Sequence, residues 1–129
     1  MSLGRPTFFD DVGHFHQKFN LPVAGMHRLG STLDEATFQY RLKFLREELE
    51  ELEMAHVDND VVAFADALAD LVWVALGTAH FAGLPFEWVW GHVRRANMQK
   101  ILASSDATGH KRDGAYKETI RKPPDWVSP

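Results

Sequence analysis

Apolar residues recur every three to four positions in four separate stretches of this chain, and nowhere alternate strictly, so the pattern predicts helices and no sheet. The first stretch opens at Asp10-Asp11, sets Val12, Phe15, His16 and Phe19 at helical spacing, and ends near Asn20-Leu21-Pro22. Gly25 to Ser31 reads as a loop, and Ser31, Thr32 and Asp34 are candidate N-caps for the next helix. That second stretch, Phe38 to about His56, places Phe38, Leu42, Leu45, Leu49 and Leu52 on one face and contains neither Gly nor Pro. Asp58-Asn59-Asp60 interrupts it and can cap a third helix from Val61 to Phe81, apolar enough to be largely buried. Gly83-Leu84-Pro85 stops that helix, and Pro85 suits the start of a fourth, through Val89, Val93 and Met98 to about Leu102. Beyond Ala103 small polar residues dominate and Pro123-Pro124 excludes a terminal helix, which predicts an extended tail. The fold class is therefore all-α, a four-helix bundle over 7–103 with residues 104–129 as a tail of the same domain.

A chain of 129 residues is the size of one domain and can bury a core unaided. It has no cysteine, which excludes a disulfide framework and the usual Cys-based zinc sites and fits a cytoplasmic location. The longest apolar run, around Leu71 to Leu76, is too short to cross a bilayer, and the N-terminus lacks the basic-then-apolar pattern of a secretory signal. A soluble protein with no membrane partner is expected. The net charge of −4 argues against a stable nucleic-acid partner. Charge is unevenly placed: acids crowd between Glu47 and Glu53, whereas Arg94, Arg95, Lys100, Lys111, Arg112, Lys117, Arg121 and Lys122 make the last third basic. One such chain can hold both a cation and a polyanion.

The acidic run Glu47-Glu48-Leu49-Glu50-Glu51-Leu52-Glu53 is of a kind that is often only a solvated helix face. Helical angles of about 100° per residue sharpen the choice. Glu48 and Glu51 share a stripe with Phe44 and Ala55 beside the leucine face, Glu48 more closely, with Glu47 just beyond and Glu50 on the other flank. On the third helix Asp66 and Asp70, four residues apart, share a face inside a strongly apolar stretch. Buried carboxylates need partners. Salt bridges to Arg41 or Arg46 are one solution; a cation is the better one, because Glu48, Glu51 and Asp70 would otherwise repel one another across the helix interface. Oxygen-only ligands favour Mg²⁺, with Mn²⁺ able to substitute, over zinc, and Mg²⁺ characteristically binds substrate phosphates.

At these residues the chain resembles the MazG-like all-α nucleoside triphosphate pyrophosphohydrolases. Glu47-Glu48-Leu49-Glu50-Glu51 is similar to the first half of their motif, E-x-x-E with an extra Glu in front, and Asp70 is similar to the Asp that ends the second half, E-x-x-D. Val12 to Pro22 resembles the opening helix of the phosphoribosyl-ATP-pyrophosphohydrolase-like branch. So do Asp66-Ala67-Leu68-Ala69-Asp70-Leu71, Gly77-Thr78, Val93 to Lys100, Asp113-Gly114 and Pro123-Pro124-Asp125. The chain departs once: the Glu expected three residues before Asp70 is Ala67, and the nearest acid, Asp66, is one position earlier and a shorter side chain, expected to reach a metal through water.

The resemblance implies that Glu48, Glu51 and Asp70, assisted by Glu47 and Asp66, hold Mg²⁺ on a nucleotide substrate, with Glu47 or Glu48 in the catalytic step. It implies that Asn97 and Lys100, with Arg94 on the same side of the fourth helix, meet phosphate, and that His16 lines a base pocket with Phe15, Phe19 and Trp73. Products would be a nucleoside monophosphate and pyrophosphate. The other histidines form no metal motif, and Trp73, Trp88 and Trp90 are expected as packing residues. Phe81, Phe86, Trp88 and Trp90 exceed what one small bundle readily covers, which with the family's habit implies a homodimer or dimer of dimers. A non-catalytic nucleotide-sensing or partner-binding helical oligomer, favoured by Ala67, and a phosphoribosyl-ATP pyrophosphohydrolase are the competing readings.

Overall fold

Each of the first three helices begins where a short polar side chain takes up a backbone N–H that the helix itself cannot pair. In a computed structural model, which describes residues 4–25, 33–102 and 120–121, helix α1 spans Phe8–Lys18. Thr7 caps it, accepting from the Asp10 N–H at 3.1 Å while the Asp10 carboxylate accepts from the Thr7 N–H at 3.0 Å. This reciprocal box starts the helix ahead of Asp10, where the sequence pattern put its opening. Asp34 caps α2, Glu35–Val57, through Thr37 N–H; the other two candidate caps, Ser31 and Thr32, lie outside the described residues, as does most of the loop read from Gly25 to Ser31. Asp58 to Asp60 make the tight connection, with Asn59 left-handed at φ 53°, and Asp60 caps α3, Val61–Phe81. Helix α4, Phe86–Met98, is shorter than its sequence pattern. After it the backbone turns extended, and Ile101–Leu102 pairs antiparallel with Ile120–Arg121 in a two-residue ladder, β1 with β2. β-Branched Ile101 suits that conformation.

The described residues divide into two compact units between Phe86 and Glu87. In the first, α3 packs against both α1 and α2. The α2 side of the seam differs from the leucine stripe read in the sequence. Its buried positions are Arg41, Glu48 and Ala55, seven residues apart, while Leu42, Leu45 and Leu52 are half-buried and Leu49 is 54% exposed. On α3 the buried positions are Ala67, Val74, Leu76, Gly77, Ala79 and His80. The second unit contains α4, in which Trp88 and His92 meet edge to face, and the ladder. Trp88 and Trp90 are largely exposed, so neither is the core residue that its size predicts.

Helix α3 as a whole is long and apolar enough to cross a membrane, although no single apolar run in it is. Its Asp70 instead joins carboxylates of α2, an arrangement that a hydrocarbon core does not accommodate without partners.

Two buried histidines dock α1. The Nδ1–H of His16 donates to the Pro22 carbonyl at 2.7 Å. His80 on α3 accepts from the Ala24 N–H at Nδ1 and donates from Nε2 to the Phe9 carbonyl, with the Phe9 ring stacked on it at 3.8 Å. Such a ring is neutral by construction: one nitrogen must accept and the other donate. Gly13 is glycine for the same reason, since a Cβ there would stand 2.9 Å from His80 Cε1.

Burial holds His16 below the usual imidazole range, with the nearby His80 and Arg41 adding to the effect and the Pro22 carbonyl opposing it. A depressed pKa in the folded state favours the neutral ring, so this contribution to stability is complete above the usual value of about 6.5 and is lost as pH falls through the lower folded value. We therefore expect thermal unfolding to shift to lower temperature as pH drops below about 6.5. His16→Gln, which keeps a donor but does not titrate, should show a shallower decline across the same series. Parallel declines in the two proteins would mean that His16 is not the titrating group.

Candidate metal centre

The α2–α3 turn is only a few residues long, so the two helices run antiparallel. Arg41 lies opposite Val74 and Thr78, Glu48 opposite Asp70, and Ala55 opposite Ala63. Heptad spacing along α2 puts Glu48 on the same buried line as Arg41 and Ala55, and Glu51, one turn on, at the edge of that line. From α3, Asp70 reaches the same point. One carboxylate oxygen from each of Glu48, Glu51 and Asp70 lies within 4.8 Å of the others.

Glu48 is 9% exposed, and its Oε2 is buried with no hydrogen-bond partner. Burial pushes its carboxyl above the ordinary glutamate range, and the charges of Glu51 and Asp70, a hydrogen bond to Glu51 and the charge of Glu47 push the same way. Asp70 is likewise raised, by burial first and then by Asp66 and Glu51. The salt bridges that offered another solution are not made: Arg41 donates to Thr78 and Val74, and among the described residues no basic side chain pairs with any of the three acids. Three carboxylates converging on one point, with a buried and unpartnered oxygen on Glu48, fit a hard divalent cation.

The remaining sequence candidates fall in different places. Glu47 is exposed beside the cluster, lining with Glu50, Glu51, Asp58 and Asp60 a cleft of about 500 Å³ floored by Met54, Ala55 and Ala63. The sequence showed Asp58 and Asp60 only as turn and cap residues, because their approach to Glu47 depends on how the hairpin closes. Asp66 is exposed and its charge bears on Asp70, whereas Ala67 is 4% exposed on the seam itself. His16 is buried in the α1–α3 contact. Trp73, one turn beyond Asp70, is 40% exposed, with Phe15 edge-on to it at 5.4 Å and Phe19 against Phe15. Arg94 and Asn97 are exposed on α4, in the second unit. Lys100 lies past the end of that helix rather than on it, its N–H donating to the Asn97 carbonyl as the chain leaves the last turn. Lys111, Lys117 and Lys122 lie outside the described residues.

A family model described as phosphoribosyl-ATP pyrophosphohydrolase matches residues 12–97, from the second turn of α1 to the last turn of α4. No curated protein matches the chain.

Raised carboxyl pKa values mean that the ionised cluster opposes folding above those values and that the opposition is relieved as pH falls through them. With chelator present at neutral pH, Glu48→Gln and Asp70→Asn should therefore melt at or above the temperature of the unaltered chain, while Mn²⁺ binding followed by calorimetry is lost. Melting well below it would make these residues structural.

Proposed function

Because the chain belongs to the phosphoribosyl-ATP pyrophosphohydrolase family, we propose that it hydrolyses a nucleotide to a monophosphate and pyrophosphate with Mg²⁺ or Mn²⁺ at Glu48, Glu51 and Asp70. The observation that carries this reading is the convergence of those three carboxylates, one of which, Glu48, has a buried oxygen without a partner. Mg²⁺ held by Glu48, Glu51 and Asp70 would supply positive charge to the phosphate oxygens of the substrate. Glu48 and Asp70, held by packed helices, present their oxygens without further reorganisation. Glu47, exposed at the edge of the cluster, is free to accept a proton from the attacking water. That water's oxygen bonds to phosphorus in line with the departing group, the phosphoanhydride bond breaks, and the electron pair leaves on pyrophosphate. Asp66, whose charge also bears on Asp70, reaches the metal through water in this reading. On the second unit, Asn97, Lys100 and Arg94 carry donors and positive charge of the kind that binds phosphate. Phe15, Phe19 and Trp73 offer ring faces for the base, and His16, beside Phe15, lines the same pocket in this reading.

The substrate within this class is either phosphoribosyl-ATP or a (deoxy)nucleoside triphosphate. One structural feature favours a non-catalytic nucleotide sensor instead: Ala67 puts a methyl group on the seam where the MazG pattern has a carboxylate. A nucleotide panel assayed for pyrophosphate, with Mg²⁺ and with excess chelator, separates these readings. We expect release with at least one nucleotide in Mg²⁺ only, abolished by Asp70→Asn and only lowered by Asp66→Ala. Nucleotide binding without pyrophosphate release across the panel would support the sensor.

The same reading includes a cytoplasmic homodimer or dimer of dimers. Its support is the apolar surface left bare on the chain: Val61 and Val62 are 79% and 80% exposed, and Leu49, Leu68 and Val72 are also open. Sedimentation at assay concentration should show an assembly at least twice the chain mass, with activity falling on dilution in parallel with dissociation. A fully active monomer would remove this part of the proposal.

A further inference from the structure

Arg41 is a buried cation with no acid beside it. It is 6% exposed, its guanidinium lies over the Phe81 ring at 4.9 Å and the Phe44 ring at 5.4 Å, and its hydrogen bonds go to neutral oxygens. Nε donates to Thr78 Oγ1 at 3.1 Å and Nη2 to the Val74 carbonyl at 2.9 Å. The Thr78 hydroxyl donates to that same carbonyl at 2.9 Å. The planar fork thus grips two positions of α3 one turn apart, immediately after Asp70. Gly77 leaves room for it, since a Cβ there would stand 2.8 Å from Nη2.

Burying a guanidinium without a carboxylate is unfavourable, and an apolar side chain would fill the same seam more readily. What it adds is register. Apart from the acids, the buried and half-buried positions along the seam include the small, smooth side chains Ala55, Ala63, Ala67 and Val74, which do little to resist sliding. A slip of α3 by one residue moves it about 1.5 Å along and 100° around its axis, enough to carry Asp70 off the face that meets Glu48. A fork bonded to two successive turns opposes both movements, which a single point charge does not. Arg41 also lies two turns, about 10 Å, from Glu48 along α2, too far to touch the cluster, and its hydrogen bonds go to α3. Its action on the cluster is therefore through the position of α3.

We infer that Arg41, with Thr78 and the Val74 carbonyl, is a positioning residue that sets the register of α3 on α2 and thereby brings Asp70 to Glu48 and Glu51. The inference rests on reading those acids as the cation site, and its test has one arm that needs no metal. The chain has no cysteine, so cysteines introduced at the exposed Glu53 and Ala65 carry spin labels at those two points alone. In Arg41→Lys, which keeps the charge and loses the fork, the inter-label distance should shift or split into two populations, and Mn²⁺ should bind about tenfold more weakly, the size expected when support for a ligand is removed. Thr78→Val, which removes one acceptor at nearly constant volume, should move both readouts the same way by a smaller factor, and it decides the matter if Arg41→Lys does not fold. An unchanged distance in the folded variants overturns the inference. A changed distance with unchanged Mn²⁺ affinity also overturns it, leaving Arg41 a packing residue. If the unaltered chain binds no Mn²⁺, the cation-site reading fails by itself and the label distances alone judge the register.

Discussion

Helix α3 meets α2 along a line on which charge and small apolar side chains alternate: Arg41, Glu48 and Ala55 face Val74, Asp70 and Ala63 in antiparallel order. Every feature of the candidate site depends on that register. The alanines let the backbones come close, which is what allows carboxylates from two helices to converge within 4.8 Å. Larger residues at Ala55 or Ala67 would hold the helices apart, and the acids would be solvated separately.

That closeness has an energetic consequence. Glu48 and Asp70 are held above their ordinary ionisation range mainly because the seam takes them out of water, with mutual repulsion adding to it. The fold maintains the arrangement through contacts elsewhere: the capped ends of α1, α2 and α3, the two histidines that tie α1 and the segment after it together, and the guanidinium between Phe44 and Phe81. Such a centre is poised for a cation, because occupation removes the repulsion that folding has to oppose. The same balance explains how a cluster can weaken a metal-free protein and still be the point around which it is organised.

The apolar surface obeys a different logic. Within the chain, α3 is covered by α1 and α2 on the sides that carry Val12, Ala55, Ala67 and Val74, while Val61, Val62, Leu68 and Val72 remain open. A leucine stripe on α2 that is only half-buried belongs to the same picture. Hydrophobic patterning identifies a face that avoids water; it does not say whether a helix of the same chain or another subunit covers it.

The sequence by itself determined the four helices, their order, and the turn at Asp58 to Asp60, because apolar periodicity and capping chemistry are local properties of a few adjacent residues. It also pointed to Glu48, Glu51 and Asp70, since helical angles place acids beside apolar stripes before any partner is known. Only the tertiary structure decided that Arg41, Glu48 and Ala55 rather than the leucines form the buried line of α2, that Arg41 turns to Thr78 and Val74 rather than to an aspartate, and that His16 and His80 are buried against backbone carbonyls. It likewise ended α4 at Met98, where pairing of Ile101–Leu102 with Ile120–Arg121 competes with another helical turn. The reason is the same in each case: these outcomes depend on which distant backbone carbonyl, ring or strand comes within reach, and spacing along one helix carries no record of its neighbour's register.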